Sequence, residues 1–401
     1  MNILVLNCGS SSFKYQLIDM DTKQALCSGL VERIGEEVGR LVHKKAPDTS
    51  TEAKHTLNQA FPDHTVGMGA VMELLVDKEW GVIDNLNEIH AVGHRVVQGG
   101  EILQESCIVT DEVKKGIAAV TPLAPLHNPA NLQGIEVAQR LLPHAPSVAV
   151  FDTEFHSTMP AEAYMYAIPY ELYEELHIRR YGFHGTSHRF VAQEAAKMLG
   201  KPFEKFTGIT CHLGNGCSIA AIKDGKCVDT SMGMTPLAGV MMGTRSGDID
   251  PAVETFIARQ KNMTACEVDN LMNKESGLKG ICGASDMRDI HSAVENGDPK
   301  ARLALDMFCY RILKYIGSYY TVLGGADAVI FTAGIGENDE IVRAQVCARL
   351  TAMGIVLNLE ENNLRKGEPR VISTPESKIP VMVIPTNEEL AIALATEKLV
   401  N

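Results

Sequence analysis

Three short glycine-bearing turns break apolar runs in this chain. Cys8-Gly9-Ser10-Ser11-Ser12 follows Ile3 to Asn7, His212-Leu213-Gly214-Asn215-Gly216 closes the run from Phe206, and Gly334-Ile335-Gly336-Glu337-Asn338 follows Val329 to Thr332. Backbone N–H groups at such turns can surround an anion, and Lys14 adds a positive charge beside the first. The third opens a predicted helix whose N-terminus can face phosphate. Arg95 stands in Gly93-His94-Arg95-Val96 and Arg245 in Gly243-Thr244-Arg245-Ser246-Gly247, where glycine flanks let backbone approach a ligand closely. Asp152 follows Val148 to Phe151 at a predicted strand end, and Gly182 to His188 sets His184 and His188 among glycines. These groups suit chemistry on phosphates, with a few cations focused locally. Neither G-x-x-x-x-G-K-[ST] nor G-x-G-x-x-G occurs, so phosphate must be held by another arrangement. There is no H-E-x-x-H and no Cys/His cluster to indicate zinc, so a metal here would be a hard ion with oxygen ligands, shared with phosphates, hence Mg²⁺.

The elements that must position these residues read as an alternation of strands and helices, the pattern of an α/β protein whose ligands sit beyond strand ends. The order strand, glycine turn, strand over residues 3–19 recurs over residues 206–222 and is followed by an Asp224-Gly225 hairpin signal, which predicts two duplicated lobes. Arg95 is placed just behind a strand from Ile89 to Val92. A helix is predicted over 301–323, with Leu305, Phe308, Cys309, Ile312, Leu313, Ile316 and Tyr320 on one face as core or dimer contact. Val381 to Ile384 reads as a strand stopped by Pro385, after which Thr386 and Glu389 form a capping box for a helix through Leu399.

A length of 401 residues predicts two domains with a cleft between them. A net charge of -13 argues against nucleic acid as a partner, because phosphate-backbone binding needs a basic surface. No apolar stretch approaches the roughly 20 residues of a membrane helix, and the start of the chain has no signal-peptide pattern. The ten cysteines include no C-x-x-C pair and read as reduced thiols in the cytoplasm, which makes the Asn262-Met263-Thr264 sequon coincidental.

Four further segments complete a pattern: Leu123-Ala124-Pro125-Leu126-His127-Asn128-Pro129, Asp229-Thr230-Ser231-Met232-Gly233, Met242-Gly243-Thr244-Arg245 and Pro385-Thr386-Asn387-Glu388-Glu389. With Asn7 to Ser12 and Lys14, Gly93 to Val97, Tyr181 to His188, His212 to Gly216 and Thr332 to Asn338, they make the chain resemble, over essentially its whole length, the acetate kinase family of the acetate and sugar kinase, heat-shock-cognate and actin superfamily. The resemblance implies an α/β fold of two duplicated actin-like, ribonuclease H-like lobes with an active-site cleft between them. The N-terminal lobe would be residues 1–153 plus 386–401, and the C-terminal lobe, residues 154–385, would carry the nucleotide site and a homodimer interface. The implied activity is reversible, Mg²⁺-dependent (or Mn²⁺-dependent) transfer of the γ-phosphoryl group of ATP to acetate, giving acetyl phosphate and ADP by direct in-line attack. Propionate kinase, or a weakly catalytic ATP-binding switch, is the alternative.

Carried over motif by motif, the resemblance gives Asn7 and Glu388 to the metal site. ATP falls to Lys14, to His212, Leu213, Gly214, Asn215 and Gly216, to Asp286, Met287 and Arg288, and to Gly334, Ile335, Gly336, Glu337 and Asn338. Arg95 would bind the substrate carboxylate and Val97, Leu126, Phe183 and Pro236 would line the alkyl pocket. Asp152 would be the family's catalytic acidic residue, and His184 with Arg245 would stabilise the transition state. A carboxylic acid with a pKa of about 4 to 5 is already ionised at neutral pH, so no strong base is needed and Asp152 is expected to orient Arg or metal-bound water. The chain departs from the family's usual residues at Gln98, Glu154, Ser157 and Ala238. Strand alternation predicts Glu154 on the face of Asp152, replacing in space a carboxylate absent at Ala238.

Overall fold

In the computed structural model, which describes residues 1–401, the first apolar run becomes β1 (Asn2–Cys8), with Ile3, Leu4, Val5 and Leu6 all buried. A strand covered on both faces needs such an unbroken run rather than alternation. The chain divides into two units, Met1–Glu154 with Asn387–Asn401, and Phe155–Thr386.

The first unit is built on an eight-stranded sheet. β2 (Ser12–Asp19), β3 (Gln24–Glu32), β4 (Gly39–Lys45) and β5 (Ala53–Gln59) extend antiparallel from one side of β1. On the other side lie β6 (Ile89–Val96), parallel to β1, then β8 (Ser147–Phe151), parallel to β6, edged by the short β7 (Cys107–Ile108). β6 is longer than its apolar run suggests, because pairing with β8 continues past the end of its pairing with β1: Arg95 lies opposite Val150 and Val96 opposite Phe151. Arg95 is therefore on the strand and not behind it.

The last helix, Glu388–Val400, packs Ile392 and Ala393 against Ile3, Val5, Ala91 and Val148. It comes so near β6 that a Cβ on Gly93 would lie 2.6 Å from Thr396 Oγ1 and 2.8 Å from Ile392 Cγ2, so this position excludes a side chain. The helix cap lies one residue further on than expected. Asn387 accepts from Leu390 N at 3.0 Å, while the Thr386 hydroxyl is hydrogen-bonded to Ser187 and its N–H to Glu337.

The second unit carries six strands: β9 (Gly208–Leu213), β10 (Cys217–Lys223), β11 (Lys226–Thr230), β12 (Ala328–Thr332), β13 (Arg370–Val371) and β14 (Val381–Val383). Their order, β11-β10-β9-β12-β14 with β13 at the edge, repeats the β3-β2-β1-β6-β8 order of the first unit. In both, the central strand pairs antiparallel with the next strand, which pairs antiparallel with a third, while two strands follow in parallel on the other side. The shared order makes the units duplicates of one α/β plan. Asp224 and Gly225, both at positive φ, form the two-residue turn between β10 and β11.

The long helix Pro299–Leu323 buries Leu305, Phe308, Cys309, Ile312 and Ile316 as the spacing predicts, but its stripe continues to Tyr319 and Leu323, leaving Leu313 and Tyr320 half-buried. All ten cysteines are free thiols. No helix is long and apolar enough to cross a membrane.

Candidate functional site

In the first unit the ends of β6 and β8 bring Arg95 and Asp152 together. Arg95 donates to Asp152 from Nε at 2.9 Å and from Nη2 at 2.7 Å, a bidentate pair in which Asp152 is almost wholly buried. Burial works against the charge on Arg95, yet Asp152, with Glu388 and Glu389 nearby, holds the guanidinium well above its ordinary value. Glu388 opens the last helix beside them. Burial pushes its carboxyl up; Arg95 and Lys14 oppose the rise, while Asp152 and Glu389 add to it. Asn7 and Lys14 are partners across the β1/β2 hairpin, and Gly9 N donates to Ser12 O at 2.8 Å to close the turn between them.

The rest of the Gly93-His94-Arg95 motif is structural. His94 is buried, hydrogen-bonded to Ser147, and burial lowers its pKa to about 3, so it stays neutral. Gln98 is fully buried: its N–H donates to Asn128 and its Oε1 accepts from Gly100, but its Nε2 has no partner. Glu154 does not follow strand alternation from Asp152. β8 ends at Phe151, a 3-10 turn begins at Glu154, and its carboxylate accepts from the N–H and hydroxyl of Ser106. Val97 is buried, whereas Leu126 is 70% exposed.

In the second unit a glycine turn, an arginine and a histidine converge. Gly243 N donates to Asn215 O, which seats the loop bearing Arg245 against the 214–216 turn. On Gly216 a Cβ would lie 3.3 Å from Arg245 Nη1 and 3.4 Å from His184 Cε1, with His184 Nε2 at 3.6 Å. The bare face of Gly216 is thus bordered by both side chains. Arg245 has no carboxylate partner. Its Nη1 donates to Pro236 O at 3.1 Å and touches Met242 Sδ, and burial pulls its pKa below the ordinary value, with Cys217 slightly opposing. A half-buried guanidinium left in this state gains most from an incoming anion.

His184 precedes the helix Gly185–Met198 at φ 58° and stacks on His212 with ring centroids 4.1 Å apart. His212 lies on β9 rather than in the turn after it, and is hydrogen-bonded to Ser187, which is in turn bonded to Thr386. Thr386 N and Ala333 N both donate to Glu337 Oε1, at 3.0 and 2.8 Å. Residues 334–338 lie in a short helix, Ala333–Asn338, and Glu337 is spent on tying that helix to the end of the unit. Beneath the same helix the buried Arg343 donates to the carbonyls of Gly336 and Glu337 and to Asn362; burial pushes its pKa down to about 10.

Gly334 is exposed with open space around it, and Asn338 Nδ2 donates to Gly334 O. Asp286 caps the helix Met287–Glu295 and receives Arg288 at 3.0 and 2.6 Å on the surface; Met287 is buried. Phe183 is buried and Pro236 half-buried. Thr210 and Ser218, whose hydroxyls meet the histidines, carry no local motif, so reading the chain in order does not single them out.

An arginine with no carboxylate partner at a glycine turn, in a duplicated α/β plan whose other unit holds a second arginine on a carboxylate, suits work on anions, and the relatives make the class a phosphotransferase with a carboxyl group as acceptor. The profile of the Acetokinase family matches residues 2–394. The acetate kinase of Oleidesulfovibrio alaskensis is 62% identical over 395 residues, 98% of each chain. The crystal structure of Porphyromonas gingivalis acetate kinase superposes with a TM-score of 0.96 at 45% identity, covering 100% of both chains. A propionate kinase from Francisella tularensis follows with a TM-score of 0.91 at 42% identity and 99% coverage of each. The chain belongs to the acetokinase family.

Proposed function

We propose that this protein is an acetate kinase, transferring the γ-phosphoryl group of ATP reversibly to acetate. The carrying observation is the Gly216 corner, where Arg245 Nη1 and His184 Nε2 border one bare backbone face with no carboxylate neutralising the guanidinium. Charge on a transferring phosphoryl group is spread over its equatorial oxygens, and donors preorganised toward it supply most of the catalysis. In the first unit, Arg95 keeps donors beyond the two that Asp152 occupies, enough to receive a substrate carboxylate. Asp152 orients Arg95 and removes no proton, since the nucleophile is already ionised.

Mg²⁺ fits the first unit. No three His, Cys, Asp or Glu gather to hold a metal unaided, and Mg²⁺ needs only one or two protein oxygens when phosphates supply the rest. Glu388, raised first by burial and further by Asp152 and Glu389, is a carboxylate whose ionisation a divalent cation would favour, and Asn7 would add an amide oxygen. The bound ion would neutralise phosphate oxygens. The glycine turn at 214–216 and the short helix Ala333–Asn338 would hold the nucleotide. The free thiols support a cytoplasmic location, and the exposed Phe256, Leu303, Tyr310 and Val322 of the second unit support a homodimer.

The test is ADP formation with MgATP and acetate, propionate or butyrate, the acyl phosphate being trapped with hydroxylamine. Acetate as the best acceptor is expected. A preference for propionate would move the assignment to propionate kinase, and turnover with none of the acids would overturn it.

A further inference from the structure

Three side chains, two on one face of the second sheet and one on the helix that covers it, form a continuous hydrogen-bonded row behind His184. Thr210 and His212 lie two apart on β9, and Ser218 of β10 is the register partner of His212, so all three share a face. His184 and His188, four apart at the start of the helix Gly185–Met198, meet that face. His188 Nδ1 is 2.6 Å from Thr210 Oγ1, His188 Nε2 is 2.7 Å from Ser218 Oγ, and Ser218 Oγ is 2.9 Å from His184 Nδ1. Thr210, His188 and Ser218 are each 0% exposed.

The protons in this row can be counted. Burial holds His188 well below its ordinary pKa, with His156 and His212 adding to the effect, so it carries one N–H. Ser218 has one proton for two imidazole partners. The row then has two possible directions. Running away from the site, His184 Nδ1–H donates to Ser218, Ser218 to His188 Nε2, and His188 Nδ1–H to Thr210, whose own hydroxyl proton is left buried with no acceptor. Running toward the site, Thr210 donates to His188 Nδ1, His188 Nε2–H to Ser218, and Ser218 to His184 Nδ1. The protons along the row are then satisfied, and His184 carries its own N–H on Nε2, which borders the Gly216 face beside Arg245 Nη1. Unpaired buried donors are strongly disfavoured, which selects the second direction.

We propose that Thr210, His188 and Ser218 are positioning residues that hold His184 in the Nε2–H tautomer, so that it presents a hydrogen-bond donor, alongside Arg245, to an anionic oxygen such as that of a phosphoryl group. This deepens the kinase reading and rests on it only for turnover, because the tautomer is readable without any reaction.

The experiment is long-range ¹H–¹⁵N correlation on the full chain labelled at histidine nitrogen, with His184 assigned from the signal lost in His184→Gln. A protonated Nε2 and bare Nδ1 on His184 are expected; a protonated Nδ1 overturns the proposal. Thr210→Val removes the hydroxyl without changing shape, and Thr210→Ser restores it. Thr210→Val is expected to populate the Nδ1–H tautomer and lower kcat about 10-fold, with KM for ATP changed less than about 2-fold, and Thr210→Ser to recover both readouts. An unchanged tautomer in Thr210→Val, or equal losses in the two variants, overturns it. Absence of turnover in the unaltered protein would instead count against the kinase reading and leave the tautomer result standing.

Discussion

Asp152 receives Arg95 through two parallel hydrogen bonds, of 2.9 and 2.7 Å, at the ends of neighbouring parallel strands. Both oxygens of this nearly buried carboxylate are engaged, so its work is to aim a guanidinium.

Replacing Asp152 with Asn keeps the shape and removes the charge. We expect kcat to fall by roughly 10²-fold and KM for acetate to rise, as when one preorganised electrostatic group is lost. Asp152→Ala should also cost about 2 kcal/mol in chemical unfolding, below the range for fully buried pairs because Arg95 is 21% exposed. Steady-state kinetics that match the unaltered enzyme would show the pair to be structural only.

Arg245 has no carboxylate to abandon, so Arg245→Ala should fold normally while kcat drops by roughly 10³-fold, on the precedent of arginine fingers. Lys should not rescue it, because an ammonium lacks the planar fork. Melting temperature and kcat measured together test this, and a near-normal kcat would remove Arg245 from the chemistry.

Gly216→Ala adds a methyl 3.3 Å from Arg245 Nη1 and 3.4 Å from His184 Cε1, in the space where both donors meet. Since Gly216 is not at positive φ, backbone strain is not involved. Turnover is expected to fall about 10-fold with an unchanged melting curve, from the misplacement of groups around the reacting centre.

The raised pKa of Glu388 predicts a particular pH dependence. In the folded chain ionisation is disfavoured, so nothing is lost below the ordinary value of 4.5, and stability declines as pH rises from there through the folded pKa. Glu388→Gln should therefore raise the melting temperature at neutral pH, and the gain should vanish as pH approaches 4.5. Added Mg²⁺ with ADP should stabilise the unaltered protein more than the variant. Thermal melts across pH, with and without Mg²⁺, check both.

His291 gives the opposite sign. Its Nε2 is 2.7 Å from Asp339, the cap of the helix Glu340–Cys347, and that hydrogen bond raises its pKa above 6.5 despite partial burial. The stabilisation is complete below the unfolded value of 6.5 and is lost as pH rises through the folded one. His291→Gln should therefore lower the melting temperature most on the acidic side of neutrality, and the difference should shrink in alkali. A pH-independent difference would show that charge on His291 contributes nothing.

Much of the architecture was legible in the chain itself, because the signals are local. Apolar runs, the Asp224-Gly225 hairpin and the repeated strand-turn-strand openings reflect backbone preferences within a few residues, and they predict the two sheet-bearing units and the glycine turns at strand ends. Where local signals compete with pairing across a sheet, they mislead. Gly93 looks like a strand end, but β1 pairs with β6 through His94 and β8 through Val96, and Glu154 leaves the strand alternation because pairing stops at Phe151. Thr386 reads as a helix cap, yet Ser187 and Glu337 claim it.

The residue types, their order and the family they mark were determined by sequence alone. Only the tertiary structure decided that Arg95 is held by Asp152 while Arg245 is left unpaired, and that Thr210, His188 and Ser218 line up behind His184. Such partnerships join residues tens of positions apart, through strand register and helix docking. A hydrogen bond needs its atoms within a few tenths of an ångström, and no local periodicity carries that information.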